Sequence, residues 1–159
     1  MKLLLFIPTL YFAFIQIANS QSNLFDKYCD KITSEVDKFT GEKTYKTPIL
    51  KQVVFYKVIK DGSVTVYMRL STIGSTPPTG NGVIILLENG EKITKDVETS
   101  VNVNSAAQFE HSAFFSLSQA DIELLKKHRI TDARLYIFDM KIRQPDQYWG
   151  YINCLEGMK

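Results

Sequence analysis

The sequence predicts one α+β domain, mainly β, built on an antiparallel sheet or a two-sheet sandwich with one short helix near its C-terminal end. Three observations carry this reading. Apolar residues recur with a period of two over most of the chain, turn dipeptides separate the runs, and one stretch shifts to helical spacing. Strands joined by short turns pair antiparallel. A closed barrel of lipocalin type fits the same pattern and stands as the alternative; inward positions small enough to leave a calyx would mark it.

The N-terminus comes first. Lys2 precedes an apolar run over residues 3–17, and Ala18-Asn19-Ser20 places small residues where a signal peptidase expects them. Residues 1–20 therefore read as a cleaved secretory signal, and residues 21–159 as the single domain, starting at Gln21. An uncleaved anchor would need roughly 20 apolar residues, and Asp26-Lys27-Tyr28 ahead of Cys29 is not a lipid-attachment context. The expected setting is secreted or periplasmic, with no membrane span after cleavage.

Residues 31–37 read as a first strand with Ile32 and Val36 apolar, and Thr40-Gly41 turns the chain into residues 43–47. Pro48 cannot donate to a ladder and marks a strand boundary. Residues 49–60 and 63–73 flank Asp61-Gly62, the pair that favours a type I′ hairpin. In the second of these strands Val64, Val66, Met68 and Leu70 share one face while Thr65, Tyr67 and Arg69 share the other, so one face is buried and one wet. Val53-Val54-Phe55-Tyr56 is apolar on both faces, which places its strand towards the middle of a sheet.

Residues 74–82 are dense in Gly, Pro, Ser and Thr and form a loop. Residues 83–87 read as a fully covered strand, and Asn89-Gly90 turns into a strand over 91–103, where Ile93, Val97, Val101 and Val103 keep the period. Phe109, Ala113 and Phe115 continue it. Ser118 then precedes Gln119-Ala120-Asp121, a capping-box start. Ile122, Leu125 and the basic Lys126, Lys127 and His128 complete a short helix. Residues 130–143 return to strand, with Tyr136, Phe138, Met140 and Ile142 on one face. Residues 148–155 fit strand or helix, and a helix or turn there would return Cys154 to Cys29.

These two cysteines are the only ones in the chain. In an oxidising compartment two thiols in a small domain pair, and a Cys29–Cys154 bridge would close nearly the whole mature chain into one loop. The chain-entropy model assigns such a loop roughly 4–5 kcal/mol. Formal net charge is +2 and falls by one when Lys2 is removed, with Lys and Glu spread along the chain. That gives no electrostatic reason to expect nucleic acid or an anionic membrane as partner.

No catalytic constellation emerges from the residues. The two histidines, His111 and His128, lie in different predicted elements, and Glu110-His111 on a strand would face opposite ways, so no metal site or cofactor is expected. His111 reads as a partly buried, hydrogen-bonded histidine, and Ser112 beside it is no triad. The 74–82 loop lacks the Lys-Ser/Thr ending of a phosphate loop. Two surfaces remain as candidate binding features: the aromatic run Tyr148, Trp149 and Tyr151, and the exposed loop at Pro77 and Pro78. For the aromatic run, packing of Trp149 against the core is preferred to an exposed platform.

Asp37-Lys38-Phe39-Thr40-Gly41, after an early cysteine, resembles a D-x-F-T-G segment of uncharacterised exported proteins of Bacteroidetes-type bacteria. Residues 115–125 followed by 130–136 are similar to the helix-then-strand ending of those proteins. The resemblance implies a periplasmic or secreted setting and brings no catalytic residues; many such proteins look lipid-anchored, from which this sequence departs. The expected function is an exported, non-catalytic binding module for a protein or surface ligand. A carrier of small apolar ligands is the second expectation, and a hydrolase using paired carboxylates among the 17 acidic residues the third.

Overall fold

The computed structural model describes residues 27–50 and 52–159; the proposed signal at 1–20 and the start at Gln21 lie outside them. In chain order the elements are β1 (Thr33–Val36), β2 (Lys43–Lys46), β3 (Val53–Lys60), β4 (Ser63–Gly74), β5 (Asn81–Leu87), β6 (Lys92–Glu98), β7 (Ser100–Val103), β8 (Phe109–Leu117), α1 (Gln119–Lys127), β9 (Ile130–Leu135), β10 (Phe138–Lys141) and α2 (Pro145–Gly157). Two antiparallel sheets form, one ordered β1-β2-β3-β4-β8-β7 and the other β10-β9-β5-β6. The architecture is the two-sheet form of the expected mainly-β class. The lipocalin-like alternative does not form, because both sheets stay open.

The hairpin at Asp61-Gly62 is as predicted. Both residues take positive φ, +49° and +78°, as a type I′ turn requires, and β3 sits third in its sheet. Asn89-Gly90 also makes a hairpin, but over three residues. The Leu87 N–H donates to Glu91 O at 3.0 Å and the Gly90 N–H to Leu87 O at 2.9 Å, with Gly90 in the left-handed region.

Three predicted strands need correction. β3 begins at Val53, and Pro48 to Leu50 stay outside the ladder, in keeping with proline's missing donor. The run over 91–103 is two strands in different sheets, divided at Thr99. That threonine is 2% exposed. Its N–H and hydroxyl both donate to Gly80 O, at 3.0 and 2.8 Å, so the corner is pinned while the period of two runs on through it. The run over 130–143 is a hairpin about Tyr136 and Ile137. Tyr136 holds φ of +52°, its N–H donates to Gly82 O at 2.8 Å, and its ring lies over Gly80, where a Cβ would come within 2.5 Å. Tertiary contacts impose this turn.

The core lies between the sheets. Val53, Phe55, Met68, Leu70 and Ala113 of the larger sheet meet Val83, Ile85, Leu87, Ala133 and Leu135 of the smaller. The smaller sheet has four strands against six, and α2 lies against β3 and β9 to extend the second layer. Residues 148–155 are thus helix, with Tyr148, Tyr151, Ile152 and Leu155 buried. Residues 83–87 are covered on one face only: Ile84 and Leu86 point outward and stay half-buried.

The capping box of α1 forms as predicted. Ser118 Oγ accepts from the Asp121 N–H at 3.2 Å, and the Asp121 carboxylate accepts from the Ser118 N–H at 2.7 Å. Lys95 also reaches that carboxylate. Burial pushes Asp121 up, but the hydrogen bonds from Lys95 and Ser118 outweigh it and hold it below the usual carboxylate range. A depressed carboxylate stabilises the fold above its unfolded pKa and loses that contribution as pH falls through the lower folded value. We therefore expect Asp121→Asn to lose about 1 kcal/mol in urea unfolding at pH 7. The gap from wild type should close as pH drops towards 3, and a pH-independent gap would contradict this.

The chain ends are joined by the Cys29–Cys154 disulfide, with Cα atoms 5.3 Å apart. Tyr28 packs edge-on to Tyr151 at 5.6 Å between centroids. α1 and α2 are tied by Lys126 with Glu156, and by the Trp149 indole N–H donating to Lys126 O at 2.7 Å.

Candidate binding face

Strand alternation puts one set of β3, β4 and β8 residues in the core and the other on the outer face of the six-stranded sheet. On that outer face Tyr56 pairs across with Tyr67, and Arg69 with Phe114. The three rings form one cluster. Tyr67 and Phe114 stack at 5.1 Å with planes 12° apart, and Tyr56 meets Phe114 edge-on at 5.6 Å. Phe114 remains 53% exposed and Ile73, further along the same face, 50%. Polar groups flank the rings. Lys46 Nζ lies 5.4 Å over the Tyr56 ring, Arg69 pairs with Glu110 at 3.0 Å, and Ser112 meets Ser100 at 3.0 Å.

The outer face of the four-stranded sheet carries a second feature, an open depression of about 390 Å³. Ile84 and Leu86 lie in it, among Lys92, Asp132, Arg134, Asp139 and Lys141. Arg134 grips both oxygens of Asp139 and holds that carboxyl below the usual range.

The aromatic residues singled out in the sequence are elsewhere, and as a surface they must be corrected. Tyr148 is 3% and Tyr151 1% exposed, because helical spacing turns both towards the core. Trp149 is half-buried, with its N–H bonded and the Arg129 guanidinium 5.2 Å above its ring. Pro77 and Pro78 are exposed, but they precede β5, whereas Arg129 and its partner Glu88 lie beyond the other end of it. Seven residues of strand, roughly 20 Å, separate the two features. They do not form one site.

His111 is fully buried and stacked on Phe138 at 4.1 Å. Its Nε2 lies 2.9 Å from Thr76 O, so Nε2 carries the proton and pins the Pro77 loop, while Nδ1 has no partner among the described residues. Ser112 points to the opposite face, towards Ser100, so it forms no dyad with His111. No three His, Cys, Asp or Glu side chains converge as metal ligands among the described residues, and no described helix is long and apolar enough to cross a membrane.

The sequence reading missed Tyr56, Tyr67 and Phe114 as a group. One signal for it was present: a two-residue loop at Asp61-Gly62 fixes the register, so Tyr56 must oppose Tyr67. Phe114 arrives through the non-local β4–β8 pairing and had none. No family model, curated protein or solved structure matches this chain.

Proposed function

We propose that the protein is an exported, non-catalytic binding module whose contact surface is the outer face of the six-stranded sheet. The observation that carries this reading is Phe114, half exposed, stacked on Tyr67 and met edge-on by Tyr56, beside Arg69. Tyr, Phe and Arg are the side chains enriched where proteins meet, and such anchors dominate binding energy. The rings turn their faces and edges to one another, which favours a protein surface over a stacked sugar. Export is supported by the signal-like residues 1–20 and by a disulfide of the kind that persists in oxidising compartments.

The other two expectations gain less support. A carrier of apolar ligands needs an interior cavity, whereas Met68, Leu70, Ile85 and Leu135 fill the space between the sheets and the depression lies outside them. A carboxylate hydrolase needs an acid with a raised pKa. In the depression Asp139 is pushed the other way.

The test uses mature protein immobilised in the exported fraction of its source organism. Wild type should retain a protein partner that Tyr67→Ser/Phe114→Ser loses, both having equal melting temperatures. Equal capture by the double variant would overturn the reading.

A further inference from the structure

We infer that the partner on this face is a second copy of the chain, packed face to face about a two-fold axis near Phe114. This rests on the proposed function of the same face and names its occupant. Three features of the molecule point to self-association.

The first is area. Six strands at about 4.8 Å spacing make a face roughly 29 Å wide; β3, β4 and β8 have eight to twelve residues and β1, β2 and β7 four each, so its mean length is about 22 Å. That is on the order of 650 Å² before corrugation, at the lower side of the roughly 800 Å² per partner that stable interfaces bury.

The second is charge. A two-fold interface is isologous, so the surface must complement itself. Arg69 and Glu110, opposite in sign, lie on neighbouring strands beside Phe114, and about a third of each side chain is exposed. A two-fold near Phe114, with the strands of the two copies crossing, brings the exposed edges of the phenyl rings together and lets each Arg69 reach the partner's glutamate. Lys46 lies towards the rim over Tyr56, and the whole chain carries only +2, so long-range repulsion between copies is weak.

The third is the edges. β1 and β7, which terminate the sheet, have four residues each. Short edges are poor templates for strand addition, so a second copy meets the face.

Sedimentation of the full mature chain between about 1 and 500 µM tests this. Wild type should run as a dimer in the upper part of that range. Phe114→Glu, which buries two carboxylates at the axis, and Arg69→Glu, which sets like charges together, should both run as monomers at least tenfold higher in concentration. Arg69→Glu/Glu110→Arg should restore the dimer, which a merely misfolded variant cannot do. Monomeric wild type throughout, or dimeric Phe114→Glu, overturns the inference. If wild type is monomeric yet the face variants lose a different captured protein, the inference fails and the proposed function stands; if they lose neither, both fail.

Discussion

Replacing Cys29 and Cys154 together by serine should lower the unfolding free energy by about 4–5 kcal/mol, the chain-entropy value for so long a loop. The two cysteines are 125 residues apart, so the bridge constrains nearly the entire unfolded ensemble. Locally it matters as much. Residues 27–29 are helical ahead of β1, and a strand with all four residues exposed holds little on its own. What docks this end is Tyr28 on Tyr151, directly against Gly150, where a Cβ would collide with the tyrosine ring. Against a typical total of 5–15 kcal/mol, the loss brings the domain near its limit. Urea titration of the double variant and of reduced wild type should give the same lowered midpoint. A loss under about 1 kcal/mol contradicts the prediction.

Local chemistry was legible wherever neighbours in sequence decide the conformation. Asp61-Gly62 specifies a turn, and through it the register that sets Tyr56 against Tyr67. Ser118 and Asp121 specify a cap. Thr99 and Tyr136 behave otherwise. Nothing near Thr99 breaks the alternation, and the switch between sheets depends on hydrogen bonds to Gly80, 19 residues away. Tyr136 turns without glycine or asparagine because Gly82 O and the flat surface of Gly80 receive it.

The burial of the 148–151 aromatics was hidden for a related reason. Read as a strand, residues 148–151 put Tyr148 on one face and Trp149 with Tyr151 on the other, which leaves aromatics outside. Read as a helix, Tyr148, Tyr151, Ile152 and Leu155 share the buried face. The period decides between a platform and a core, and in so short a run it is ambiguous. An exposed aromatic cluster does form, but on other elements; its place depends on β8 pairing with β4, which only tertiary packing selects.

A larger effect than its position suggests is expected at Lys57. This lysine sits on the inward face of β3, 7% exposed. Its Nζ donates to Leu155 O at 2.9 Å, Glu156 O at 3.1 Å and Met158 O at 2.6 Å. Three ammonium protons thus meet three carbonyls at the C-terminal end of α2, where helices lack partners and carry partial negative charge. Lys57→Met keeps most of the stem and removes every lysine donor, so we expect a loss of about 2–4 kcal/mol from carbonyls that lose a partner; Leu155 O keeps the Met158 N–H at 3.3 Å. The pH dependence of that loss reports the burial of the ammonium. Burial pushes the ammonium below the ordinary lysine value of 10.5, although Tyr45 and Glu156 pull the other way. Between the lowered folded pKa and 10.5 the unfolded chain binds more protons, so this group raises stability as pH climbs through that window and leaves it level below. Wild type should therefore gain on Lys57→Met in alkaline buffer, when urea midpoints of the two are compared from neutral pH upward. A variant as stable as wild type would contradict the cap, and a gap that narrows as pH rises would contradict the burial that lowers the ammonium's pKa.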